Sequence, residues 1–96
     1  MSQRILLVDD EPDILTALSV RLRACGYTCD TATNGREGLE RVSEHKPDLI
    51  LADLLMPEMD GYEMCRRLKS NEKTKSIPVI VLTAVPERAL AHRPEE

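Results

Sequence analysis

Aromatic residues are almost missing from this 96-residue chain, which has two tyrosines, no phenylalanine and no tryptophan. Its core must therefore be aliphatic, as in a buried parallel sheet whose strands favour Val, Ile and Leu. No apolar run approaches the roughly 20 residues of a membrane span. Met1-Ser2-Gln3-Arg4 leads straight into a short apolar stretch and then acids, with no signal-peptide h-region. These absences point to a cytoplasmic location and no membrane partner. Basic charge is also scarce: 13 Lys and Arg face 17 Asp and Glu, for a net charge of -4. Nucleic acid is thereby excluded as a direct partner of this segment, because phosphate-backbone binding needs a clustered basic surface. Cys25, Cys29 and Cys65 are odd in number and match no metal-site spacing. They read as small buried hydrophobes in a reducing compartment.

What is present is the alternation of a layered α/β domain. Hydrophobic residues make up 42% of the chain and charged residues 31%, enough for one core and a soluble surface. Arg4 to Val8 reads as a strand buried on both faces and stopped by Asp9-Asp10. Pro12 opens a helix whose apolar stripe is Ile14, Leu18, Leu22 and Cys25, and Gly26 stops it. Thr28 to Ala32 is a shorter strand with polar residues mixed in, as at a sheet edge. Asn34 with Glu37 predicts a reciprocal helix cap, and Pro47 closes that second helix. Asp48 to Asp53 is a third apolar strand ending in an acid. Asp60 with Glu63 caps a third helix carrying Met64, Cys65 and Leu68. Ile77 to Leu82 is the fourth strand, and Thr83 ends it. The order β-α-β-α-β-α-β predicts a doubly wound parallel sheet with right-handed crossovers. Residues 1–85 form the domain, and 86–96 a polar tail.

Ligands of open parallel sheets bind outside the carboxyl ends of the strands. Asp9 and Asp10, Asp53, and Thr83 fall at three such ends. With the first and third strands as neighbours, three carboxylates share one pocket, and their repulsion calls for protons or a cation. All-oxygen ligands favour a hard cation such as Mg²⁺. A carboxylate there can also attack phosphorus to give an aspartyl phosphate. Any one of these acids alone reads more simply as a cap or a loop residue; only their joint placement is informative.

Val8-Asp9-Asp10-Glu11-Pro12, the run Asp53 to Gly61, and Pro78-Val79-Ile80-Val81-Leu82-Thr83-Ala84 closely resemble the response-regulator receiver family of two-component signalling. The resemblance implies a flavodoxin-like strand order of 2-1-3-4 and a phosphoacceptor at Asp53, served by a histidine kinase or phosphotransfer protein. It implies Mg²⁺ held by Asp10, Asp53 and the backbone carbonyl of Leu55, with Asp9 acting through a water. It assigns phosphoryl binding and the activation switch to Thr83 and Ala84. The family's fifth strand brings a lysine to the phosphoryl group and is followed by a last helix; neither is assignable here, since Lys46, Lys69, Lys73 and Lys75 lie in earlier segments. The fourth strand is then expected to present an apolar edge to a second copy of the chain.

Two other functions fit parts of the pattern. A haloacid-dehalogenase-like phosphatase needs a second acid two residues after its nucleophile, but Asp53 is followed by Leu54-Leu55 and Asp10 by Glu11-Pro12. The chain is therefore not expected to be an enzyme. A receiver-like docking or dimerisation module that takes no phosphate is the alternative reading; the acidic site weighs against it and the missing lysine for it.

Overall fold

Alternate residues of the first strand face two different cores, and this division organises the molecule. The computed structural model describes residues 3–53 and 61–81. Strand β1 (Arg4–Val8) sends Leu6 and Val8 to one side, where they pack with Ile50, Ala52, Met64, Leu68 and Ile77. It sends Ile5 and Leu7 to the other side, against Leu15. A strand buried on both faces has no polar side to show, so it reads as an unbroken apolar run.

The remaining elements are α1 (Pro12–Ala24), β2 (Thr28–Ala32), α2 (Gly35–Glu44), β3 (Leu49–Ala52), α3 (Gly61–Lys69) and β4 (Val79–Val81). The sheet is parallel and runs β2-β1-β3-β4, the expected 2-1-3-4 order. Helices α2 and α3 contribute Val42, Met64 and Leu68 to the larger core, and α1 alone supplies Leu15, Leu18 and Leu22 to the smaller one. Among the described residues the face beneath α1 is the thinner. Leu49 and Leu51 are only half-buried, although the sequence shows them as an apolar strand.

Helix α1 buries a different stripe from the one expected. Leu15 and Ser19 are buried, with Leu18 and Leu22 partly so, whereas Ile14 is 37% exposed and Cys25 is exposed. Positions 15, 18, 19 and 22 follow the i, i+3, i+4, i+7 spacing of one helical face, from which 14 and 25 stand off. The helix ends in paired bonds from the Gly26 N–H to the Arg23 carbonyl and from the Tyr27 N–H to the Leu22 carbonyl. Gly26 takes φ +97 to make them, a conformation that a side chain opposes. This termination carries Cys25 away from the sheet. The reading of all three cysteines as buried is corrected accordingly: only Cys29 is buried, and Cys65 on α3 is intermediate.

The cap on α2 forms with one change of partner. Asn34 Oδ1 accepts from the Glu37 N–H at 2.8 Å, as expected. Glu37 reaches one residue further back than predicted, accepting from both the N–H and the hydroxyl of Thr33 at 2.9 Å. Those two bonds hold the Glu37 carboxyl below its usual range, the backbone N–H contributing most. A depressed carboxyl stabilises the fold above its unfolded pKa, and this stability is lost as pH falls through the lower folded value. Glu37→Gln is therefore expected to cost about 1 kcal/mol or less at pH 7. The stabilities of variant and parent, measured by urea unfolding, should converge on the acid side.

Strand β4 is shorter than the predicted Ile77 to Leu82 among the described residues. Ile77 is buried but precedes the strand, and the Pro78 carbonyl accepts from the Ile50 N–H at 3.0 Å. Leu82, Thr83 and the 86–96 tail lie outside the described residues, as does Asp60, the expected cap of α3.

Candidate functional site

The pairing of β1 with β3 brings the acids together. Val8 is in register with Ala52, so Asp9 and Asp53 leave the sheet side by side at its carboxyl edge. Backbone bonds pin both residues there. The Asp53 N–H donates to the Val8 carbonyl at 2.9 Å, and the Asp9 N–H to the Ala32 carbonyl at 3.1 Å. Asp10 is the next residue along the same loop. One carboxylate oxygen from each of Asp9, Asp10 and Asp53 lies within 4.8 Å of the other two.

The three differ in exposure. Asp9 is 4% exposed, Asp53 is intermediate and Asp10 is open to solvent. Asp9 Oδ1 accepts from the Glu11 N–H at 2.9 Å, closing a turn that fixes its rotamer just ahead of α1. Burial nevertheless lifts the Asp9 carboxyl above its usual range; that hydrogen bond opposes the rise, and the charges of Asp53, Asp10 and Glu11 add to it. The site thus holds an excess of negative charge at the mouth of a parallel sheet. Such a cluster suits a hard, oxygen-loving cation, with solvent access on the Asp10 and Asp53 side.

The sequence located all three acids. It offered no sign of the Glu11 N–H as the group that orients Asp9, since a backbone donor leaves no mark on residue type beyond an Asp two positions earlier. Leu55, Thr83 and Ala84, the other predicted site residues, lie outside the described residues. Lys69 is committed elsewhere, with its Nζ donating to the carbonyls of Lys75 and Ile77. Lys75 pairs with Glu72.

Comparison with known proteins bears directly on this geometry. The family profile of the response regulator receiver domain matches residues 5–94. The chain belongs to that family. This receiver domain is 42% identical over 82 residues to the DNA-binding dual master transcriptional regulator RpaA of Synechocystis, covering 85% of this chain and 34% of that one. It thus spans about a third of the length of the transcriptional regulators it matches. Among solved structures, the N-terminal domain of a response regulator receiver protein from Methanoculleus marisnigri superposes with a TM-score of 0.84 at 41% identity, covering 98% of this chain and 72% of that one. The receiver domain of a sensor histidine kinase from Pseudomonas aeruginosa, solved with a magnesium ion coordinated in its active-site cleft, gives a TM-score of 0.81 at 33% identity. That match covers 88% of this chain and 69% of the other. Receiver domains are signalling modules of two-component systems. Among the described residues, no helix is long and apolar enough to cross a membrane.

Proposed function

We propose that this receiver domain is a cytoplasmic phosphoryl acceptor, with Asp53 taking the group from a histidine kinase or phosphotransfer protein. The convergence of the Asp9, Asp10 and Asp53 oxygens within 4.8 Å carries this reading. A carboxylate oxygen of Asp53 attacks the phosphorus as the phosphorus–nitrogen bond to the donor histidine breaks. The electron pair of that bond leaves with the imidazole nitrogen. Asp53 is half-exposed, so a donor side chain can approach it in line, while Asp9 stays buried and fixed by its bond from Glu11.

The donor set fits Mg²⁺, which Asp10 and Asp53 would hold together with the Leu55 carbonyl that the family resemblance assigns, with Asp9 acting through a water. When bound, the ion supplies positive charge to the transferring phosphoryl oxygens. By the family resemblance, Thr83 and Ala84 are the residues proposed to receive those oxygens. Two measurements test the reading. Incubation with acetyl phosphate and Mg²⁺ should add one phosphoryl group to the intact mass, and a metal-free sample should show none. No gain in folded protein would favour a docking module instead. Mg²⁺ at ten times its Kd should stabilise the fold by about 1.4 kcal/mol through linkage. A melting temperature indifferent to Mg²⁺ would remove the metal from the site.

We further propose self-association through β4. Ile80 is 51% and Val81 44% exposed, on a strand whose outer edge pairs with nothing among the described residues. Exposed apolar edges of this kind recruit further strands. Light scattering should show mass rising toward a dimer with concentration, and Ile80→Lys should hold it at the monomer; a parent mass independent of concentration would count against the pairing.

A further inference from the structure

A second surface lies away from the acids, in the groove between α2 and α3. Helices that cross back over a parallel sheet run against its strands, so their C-terminal halves sit over the strands' amino ends. The groove lies at those halves and has a volume of about 510 Å³. Its floor is aliphatic: Leu39 is partly open to solvent, and beneath it lie Val42 and Leu68, both buried in the larger core. Its rim is basic, made by Lys46, Arg67 and Lys73, and among the described residues no acid lines it. Arg67 shares its charge with Glu63, its Nε lying 2.8 Å from a carboxylate oxygen. Lys46 and Lys73 form no ion pair among the described residues.

We propose that this groove docks an acidic peptide segment of a protein partner, one carrying one or two aliphatic side chains. Charge complementarity selects the occupant. On a chain of net charge -4, three cations gather round one apolar depression. Helix dipoles account for cations near helix ends, but not for an aliphatic floor between them. Leucine side chains of the segment fill the depression and exclude water, while its carboxylates meet Lys46 and Lys73 at the rim. Rim charges of this sort set selectivity and salt dependence more than raw affinity. The surface lies at the opposite end of the sheet from Asp53, so it can engage a partner whether or not the acceptor is loaded.

The test uses the whole chain and a capped, fluorescein-labelled peptide with two adjacent leucines flanked by glutamates. Fluorescence anisotropy should report saturable binding, about tenfold weaker for Lys46→Glu/Lys73→Glu, the scale of two rim pairs turned from attraction to repulsion. Peptides with the leucines replaced by serine, or the glutamates by lysine, should bind no better than the charge-reversed protein binds the parent peptide. Amide shifts in NMR titrations should fall within residues 39–46 and 67–74. Unchanged affinity in the charge-reversed protein, shifts confined to other surfaces, or no binding at about 1 mM peptide would each overturn the proposal. Circular dichroism of the charge-reversed protein confirms that it remains folded, and its phosphoryl uptake, read separately by mass, should equal the parent's.

Discussion

Asp53→Asn is expected to abolish phosphoryl uptake from acetyl phosphate while making the metal-free protein more stable. The two effects have one origin. Asp53 supplies the nucleophilic oxygen, and an amide at that place has neither the charge nor the lone-pair basicity to attack phosphorus. The same charge lies within 4.8 Å of the Asp9 and Asp10 oxygens, where it opposes the ionised form of a carboxylate that burial already disfavours. Removing it relieves like-charge repulsion at a site shielded from water on the Asp9 side. The gain should be on the order of 1 kcal/mol, or about 4–8 °C in Tm for a domain of this size. It should shrink when Mg²⁺ is added, because the parent then gains a counter-charge that the variant holds less well. Differential scanning calorimetry with and without Mg²⁺, beside intact-mass measurement after acetyl phosphate, reads both effects. Uptake persisting in Asp53→Asn would move the acceptor to another residue, and a loss of stability in the metal-free variant would contradict the electrostatic account.

Gly38→Val should cost about 3 kcal/mol, at the upper end for overpacking a core. Gly38 lies in α2, a helix interior where glycine is ordinarily a liability of about 1 kcal/mol against alanine. Here the lack of a side chain lets the helix approach the sheet. A Cβ built at Gly38 would lie 2.7 Å from Met64 Sδ and 3.3 Å from Val8 Cγ2. Met64 and Val8 are both wholly buried, and the sulfur lies within the larger core, so relieving the overlap means shifting packed side chains. Even Gly38→Ala should gain nothing, its helix propensity offset by the overlap. Valine adds two methyl groups in the same gap and should push α2 off the sheet. Urea unfolding would show a lower midpoint for valine, and an alanine variant clearly more stable than the parent would show that α2 and α3 can part at no cost. Since the whole stability of such a domain is only about 5–15 kcal/mol, the valine protein should also express less well as folded material.

The alternation of elements was legible because buried parallel strands carry their burial in composition. Leu6, Leu7 and Val8 have no polar alternates, and Asp9 marks where the sheet ends. The Asn34 cap of α2 was equally plain, since capping chemistry is local and depends on residues three apart. Helix α1 was not so readable. Ile14, Leu15, Leu18, Val20 and Leu22 spread apolar residues round much of its circumference, so the inward face was chosen by contact with Ile5 and Leu7 rather than by periodicity. Cys25 followed the same rule: as the C-cap it turns with the chain at Gly26 and leaves the core that its residue type suggested. The sequence by itself determined which residues are acids and that they stand at strand ends. Only the tertiary structure made them one site, because the backbone bonds between β1 and β3 place Asp53, more than 40 residues along the chain, beside Asp9. It likewise decided that Gly38 leaves little space for a side chain, since the close approach there is made by Met64 from another helix. Local chemistry is written in the order of the residues; proximity between distant segments is set by the free energy of packing them together.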